Sequence, residues 1–137
     1  MQTTAILFTD VEQVTLAPVE IPKPAADELR LEALYTVISP GTELRCRAGQ
    51  QEGARFPLIS GYSFVGRVID RGSAATLAPG TLVYGKGAAR ASENLTWGGH
   101  IQHAVQPEQD VLPCRPGSTL FGGRPRAWWA LPTAVSV

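Results

Sequence analysis

Glu28-Leu29-Arg30-Leu31-Glu32-Ala33-Leu34-Tyr35-Thr36-Val37-Ile38, followed at once by Ser39-Pro40-Gly41, is the stretch that decides the fold. Leu29, Leu31, Ala33, Tyr35 and Val37 fall on one face, and Glu28, Arg30, Glu32 and Thr36 on the other. Side chains alternate across a strand, so this spacing predicts a half-buried strand over 28–38 that stops at the turn. Working outward, residues 5–8 and 14–19 read as two short strands joined by Asp10-Val11-Glu12-Gln13. Pro18, Pro22 and Pro24 then make an extended, helix-averse connector. One or two helical turns are predicted over 42–48, stopped by Gly49. Further strands are predicted over 63–70, 81–84 and 100–105, each introduced by Gly or Pro-Gly. Helical periodicity is weak until 126–137, which is rich in Trp, Ala and Leu around Pro132. Many short strands punctuated by 14 glycines and 11 prolines predict a mainly β domain, a small sandwich or barrel.

Composition bounds the function. A chain of 137 residues is one domain, able to bury roughly 68% of its unfolded surface. Twelve basic residues balance twelve acidic ones, which argues against nucleic acid and anionic membrane as partners. No stretch approaches the ~20 apolar residues of a membrane span, and the first ten residues carry no basic leader, so the expected location is cytoplasmic. Cys46 and Cys114 belong to no CxxC or Cys/His cluster and read as two reduced structural thiols.

Four segments, in order across residues 5–117, resemble the medium-chain dehydrogenase/reductase pattern. Ser39-Pro40-Gly41-Thr42-Glu43-Leu44-Arg45-Cys46-Arg47-Ala48-Gly49 is similar to the family's Cys-Gly-Thr-Asp-x-His-x-x-x-Gly. Gly61-Tyr62-Ser63-Phe64-Val65-Gly66-Arg67-Val68 resembles Gly-His-Glu-x-x-Gly-x-Val, and Pro79-Gly80-Thr81-Leu82-Val83 falls at the family's Gly-Asp-x-Val. Gly98-Gly99-His100-Ile101-Gln102-His103-Ala104-Val105, with Val111-Leu112-Pro113 behind it, resembles the strand pair that closes the family's N-terminal domain. The Ser-Pro-Gly-Thr-Glu and Gly-Tyr wording is most similar to the bacteriochlorophyllide a dehydrogenase-like subgroup. The resemblance implies a GroES-like, partly open β-barrel over 1–125 and a C-terminal helical stub over 126–137. That stub would lead to a Rossmann cofactor domain that this sequence lacks.

The departures are as informative. By position, the family's zinc-binding cysteine is Pro40, its histidine is Tyr62 and the adjacent glutamate is Ser63, so the resemblance implies a zinc-free branch. NAD or NADP is implied by the family. Gly85-Lys86-Gly87-Ala88-Ala89-Arg90, however, has two of the three glycines of a dinucleotide turn and no acidic residue on a following strand. Gly80 to Lys86 approximates a phosphate-binding Walker loop, but Gly87 stands where a hydroxyl must hold magnesium. His100 and His103 are three apart on an expected strand and so point to opposite faces.

The resemblance implies catalytic roles for Thr42 and Tyr62. Thr42 stands where a hydroxyl relays the substrate proton, or else it caps the helix. The Tyr62 phenol donates to a carbonyl oxygen, or else packs in the cleft wall. Arg45, Glu43 and Ser63 are the candidate substrate-binding residues. Arg45 cannot act as a base and either anchors an anion or is solvated, and Glu43 holds the loop rather than performing chemistry.

The function implied is the substrate-side domain of a zinc-free NAD(P)-dependent oxidoreductase acting on an alcohol, a carbonyl or an activated alkene, incomplete on its own. Its expected partners are a small-molecule substrate and a Rossmann domain, in cis or as a partner chain. The alternative is a free-standing GroES-like module that binds a small molecule or a protein without catalysis. Trp128, Trp129, Leu131, Val135 and Val137 form an apolar end segment expected to drive self-association.

Overall fold

The computed structural model describes residues 1–115 and the strand at 134–136. Strands β1 (Gln2–Asp10) and β2 (Gln13–Glu20) form a hairpin, and β3 (Glu28–Val37) leads into the helix α1 (Pro40–Arg47). Then follow β4 (Leu58–Ile59), β5 (Phe64–Arg71), β6 (Leu82–Gly85), β7 (Asn94–Leu95) and β8 (His103–Pro107). A 3-10 turn (Glu108–Asp110) precedes β9 (Leu112–Pro113), and β10 is Ala134–Ser136.

The strands form two sheets, one ordered β2-β1-β4-β7 and the other β10-β3-β5-β6-β9, with β8 also paired to β3. The segment between β7 and β8 stitches the two together. Ile6 N donates to the His100 carbonyl (2.9 Å), Gln102 N to the Thr4 carbonyl (2.8 Å), and Ala33 N to the Gln102 carbonyl (2.8 Å). One extended segment thus bonds to strands of both sheets, which partly closes the barrel. The predicted mainly β, partly open barrel is what the chain forms.

The core lies between the sheets. Leu29, Leu31, Phe64, Val83, Ile101, Ala104 and Val105 are all 0% exposed. Each large apolar side chain buried this way contributes about 1.5–3 kcal/mol. A smaller cluster of Phe8, Cys46 and Leu58 seats α1 on β1 and β4.

Two expectations need correcting. The alternation of β3 does not run unbroken. The register against β5 shifts between Ala33 and Tyr35, so Leu34 is a bulge residue. A bulge resets which face the following residues present. Tyr35 and Val37 are therefore only half-buried, whereas Thr36 is turned into the interior at 1% exposure. At the other end, Ala134–Ser136 is a strand and not part of the expected C-terminal helix. It pairs antiparallel with β3, Ala134 opposite Val37 and Ser136 opposite Tyr35. The rest of the 126–137 expectation, and the self-association assigned to it, lie outside the described residues. Among the described residues no helix is long and apolar enough to cross a membrane.

Candidate functional site

The bulge in β3 prepares the site. Thr36, aimed inward, stands 2.8 Å by its Oγ1 from His100 Nδ1 and 3.3 Å from the Ser63 carbonyl, to which it can donate. On the far side of the imidazole, His100 Nε2 lies 3.1 Å from Glu43 Oε1. That contact is out of line for a hydrogen bond and leaves the oxygen without an aligned donor. The other carboxylate oxygen, Oε2, accepts from Ser60 Oγ at 2.5 Å. Ser60, Thr36 and His100 are 1%, 1% and 3% exposed, and the Glu43 side chain is 12% exposed. Apart from Glu43 Oε1, these buried polar side chains hold their positions through hydrogen bonds to one another.

The backbone is drawn in to match. His100 N donates to the Ser60 carbonyl (3.0 Å) and Gly99 N to the Gly61 carbonyl (2.5 Å). Gly61, at φ +88, lies flat over the imidazole, and a Cβ there would meet the ring at 2.8 Å. Only glycine takes that conformation and that closeness together. His100, Ser60 and Thr36 are not among the residues that the motif resemblance singles out. The signal for Thr36 was hidden by the bulge, which no alternation pattern shows.

Helix α1 begins two residues earlier than predicted, with Pro40 at its first position, where a missing N–H costs nothing. Ser39 is the N-cap residue, and its Oγ donates to Thr42 Oγ1 at 3.2 Å. Thr42 is therefore inside the first turn and does not cap the helix. Glu43 faces the interior, tying the helix to the segment that carries Tyr62. Arg45 is exposed on α1, with no ion pair among the described residues. Ser63 is 2% exposed and lends its backbone carbonyl to the Thr36 hydroxyl and to Val37 N. Cys46 and Cys114 are both free. Burial, then the Glu43 carboxylate, pushes the Cys46 thiol up against the opposing pull of Arg45, and burial raises Cys114 likewise. Both are poor nucleophiles.

Tyr62 is 39% exposed and meets Trp97 edge to face, centroids 6.0 Å apart at 80°. Trp97 is 43% exposed at φ +69, a conformation that bulky side chains avoid. Neighbouring bonds hold it there. Thr96 N donates to the Ile59 carbonyl (2.9 Å) and Ala88 N to the Gly98 carbonyl (3.0 Å). Gly87, at φ +134, leaves room for the Trp97 carbonyl, which a Cβ would meet at 1.8 Å. Strain of this kind costs about 1–3 kcal/mol and persists where the surroundings over-determine it. An open cleft of about 310 Å³ adjoins the indole, lined by Gln51, Glu52, Gly53, Leu95, Thr96 and Trp97.

Pro40 offers no donor atom, and Tyr62 and Ser63 offer hydroxyls, so the set does not fit zinc. Among the described residues no group of three His, Cys, Asp or Glu side chains gathers elsewhere. Nor does the Gly85-Lys86-Gly87 segment fit a dinucleotide phosphate. Gly85 ends a strand, and the Ala88 and Ala89 amides are already given to the Gly98 and Val105 carbonyls.

No family model matches the chain. A 91-residue stretch is 29% identical to the 2-desacetyl-2-hydroxyethyl bacteriochlorophyllide A dehydrogenase of Cereibacter sphaeroides, covering 64% of this chain and 29% of that protein. A dehydrogenase of Sinorhizobium meliloti 1021, described as zinc-binding and solved with NADP bound, superposes at TM-score 0.69 and 21% identity. That match covers 85% of this chain and 39% of the other. The human synaptic vesicle membrane protein VAT-1 homolog-like protein superposes at TM-score 0.72 and 16% identity, over 87% of this chain and 37% of the other. The chain thus spans between about three tenths and two fifths of the length of these proteins. It has the fold of the GroES-like domain found in medium-chain dehydrogenase/reductase structures.

Proposed function

We propose that the chain is the substrate-side domain of a zinc-free NAD(P)-dependent oxidoreductase that reduces or forms a carbonyl, or reduces an activated alkene. The observation that carries this reading is the exposed Tyr62 at the position of a zinc ligand, on a turn locked from behind by Glu43, Ser60 and His100. A metal-free site needs another donor for the oxygen on which charge develops, and a preorganised phenol is one. NAD(P)H supplies hydride when a Rossmann domain, in cis or as a partner chain, brings it to this face.

Within this domain Tyr62 holds the substrate oxygen. Thr42, whose hydroxyl accepts from Ser39, passes its proton to the substrate oxygen on reduction and regains one through Ser39 Oγ from solvent. Arg45 anchors an anionic substituent of the substrate or cofactor. Glu43 and Ser63 shape the wall from inside: Glu43 fixes α1 against the Tyr62 turn, and the Ser63 carbonyl fixes β3. A hydroxyl relay of this kind contributes about 10²–10⁴-fold in rate, and only once hydride donor and acceptor are aligned.

The test has two arms. The isolated chain, titrated with NADH and NADPH by calorimetry, is expected to show no binding, and micromolar affinity would overturn the assignment of the cofactor to another domain. Joined to a Rossmann half, the chain is expected to oxidise NADPH with a conjugated ketone or enone, and Tyr62→Phe is expected to cut kcat more than KM. Elemental analysis finding close to one tightly held zinc per chain would refute the zinc-free reading.

A further inference from the structure

Strand β2 is the outer strand of its sheet, with β1 and β4 between it and β7. The stretch Gln13-Val14-Thr15-Leu16-Ala17-Pro18-Val19 carries no charge, and Val14 and Leu16 are 48% and 70% exposed. Natural proteins blunt such an edge with a lysine, a proline or a covering loop. Here only one end is blunted. Pro18 lies opposite Thr4, and having no N–H it fixes that pair as one that exchanges no bond. The Thr4 carbonyl accordingly turns away from β2 and accepts from Gln102 N (2.8 Å). By alternation Val14, Leu16 and Glu20 direct their N–H and C=O groups outward, away from β1. Ser92 takes both groups of Glu20, its N donating to the carbonyl (2.8 Å) and its Oγ accepting from Glu20 N (3.0 Å). Among the described residues nothing takes the N–H groups of Val14 and Leu16, and the Leu16 carbonyl has only the Thr15 hydroxyl at 3.3 Å.

We propose that β2 pairs with β2 of a second copy of this chain, antiparallel about a two-fold axis at Thr15. Val14 then lies opposite Leu16 of the other copy, and each such pair exchanges both of its N–H···O=C bonds. Val14 and Leu16 of the two copies meet on one face of the joined sheet, and the two Thr15 side chains on the other. Because residues 13–19 carry no charge, identical edges lie side by side without the like-charge contacts that would part them. The neighbouring registers are worse. An axis at Leu16 sets Glu12 against Glu20 of the other copy, where Ser92 already sits. An axis at Val14 sets Leu16 against Glu12, whose N–H is given to the Arg47 carbonyl (2.9 Å). An edge this short buries less than the ~1,200 Å² of a standard interface, so the dimer is weak and concentration-dependent. It leaves β7, at the other end of the sheet order, uncovered. None of this rests on the oxidoreductase reading.

The experiment uses the 137-residue chain in reducing buffer, followed by sedimentation velocity from about 5 to 500 µM. The sedimentation coefficient is expected to move from monomer to dimer across that range, and Leu16→Lys to weaken the dimer at least about tenfold. Register is read by oxidation in a Cys114→Ser background, since Cys46 is 0% exposed. Thr15→Cys is expected to cross-link, because facing residues of a pair without hydrogen bonds bring their Cβ atoms to about 4.5 Å. Leu16→Cys is expected to cross-link at least about tenfold more slowly, its twin lying on the diagonal about 7–8 Å away. Both positions are exposed, and amide spectra report whether each variant keeps the fold. A monomer at every concentration, a dimer unmoved by Leu16→Lys, or Leu16→Cys cross-linking as fast as Thr15→Cys would overturn the proposal. So would a monomer whose Val14 and Leu16 amides resist hydrogen exchange, which would show the edge covered by the chain's own residues.

Discussion

The centre of the β3–β5–β6–β8 sheet and the corner where the Tyr62 turn meets Trp97 solve different problems with the same chain. In the sheet, Leu29, Leu31, Phe64, Val83 and Val105 are fully buried. At the corner, Gly61, Gly87, Trp97 and Gly98 all have positive φ, a Ser–Glu–His–Thr network is buried, and two aromatic rings are left in view. The difference teaches that unusual backbone here is not a by-product of packing. Four of the eight positive-φ residues among those described lie where two loops cross, behind the exposed aromatic pair, while regular strands carry the stability.

That division is most exposed to failure at Phe64. Phe64→Ala is expected to cost about 3–5 kcal/mol in urea unfolding, because a fully buried aromatic leaves both lost contacts and a cavity. A loss under about 1 kcal/mol would mean the sheet is not the seat of stability. Next comes Glu43. Glu43→Ala removes the acceptor of Ser60 Oγ and the carboxylate beside His100, and is expected to cost about 1.5–3 kcal/mol. Glu43→Gln, which keeps an acceptor for Ser60, is expected to recover part of that. In a double-mutant cycle with His100→Ala the two losses are expected to be less than additive, since both break one network. Additive losses would separate Glu43 from His100 and undo the account of how α1 is fixed.

How much of this could be read beforehand follows the same line. The strand at 28–38 and the hairpin before it were legible because period-2 spacing and Gly/Pro punctuation are local signals, whereas Pro40-Gly41, expected as a turn, opens helix α1. The phase of Thr36 was not, because a bulge at Leu34 is decided by pairing with β5. The two-residue strands β4, β7 and β9 carry too few side chains to show any period. Of the candidate residues, Thr42, Glu43, Tyr62 and Ser63 were found by motif resemblance and are carried by two chain segments that the Glu43–Ser60 bond ties together. Their partners His100 and Ser60 were not, since a hydrogen bond across 17 residues, or a carboxylate–imidazole contact such as that of Glu43 with His100, leaves no trace in spacing. Trp97 gave one hint, an aromatic directly before Gly98-Gly99, where glycine rather than tryptophan suits a positive φ.

Smaller effects should appear on acidification, in two stages with the same sign. Burial, chiefly, holds the His103 imidazole below its ordinary value of 6.5, with Arg30 acting in the same direction and Glu32 against it. The unfolded chain therefore takes up this proton first, and stability declines as pH falls below 6.5 until the native imidazole is also protonated. Glu108 accepts from Thr76 N, Thr76 Oγ1 and Leu77 N, which hold its carboxyl below its ordinary 4.5. Its contribution is present above 4.5 and is lost as pH falls through the depressed native value. His103→Gln is expected to remove the first decline from the curve of unfolding midpoint against pH, and Glu108→Gln the second. Declines that survive both substitutions would place the titrating groups elsewhere.

The smallest effect is expected at Trp97, and it tests the comparison most directly. Trp97→Gly relieves roughly 1–2 kcal/mol of left-handed strain. It gives up an edge-to-face contact worth about 0.5–1.5 kcal/mol and adds roughly 0.5–1 kcal/mol of chain entropy to the unfolded state. These terms nearly cancel, so the unfolding free energy is expected to move by less than about 1.5 kcal/mol in either direction. Trp97→Asn, which tolerates the same φ, is expected to behave alike. A loss of about 3 kcal/mol or more on either substitution would make the indole a structural anchor. The corner would then belong with the sheet, and the strain at Trp97 would need no ligand to account for it. A near-neutral change leaves a strained, exposed indole that the fold does not require for its own stability, as expected of a residue kept for what it touches.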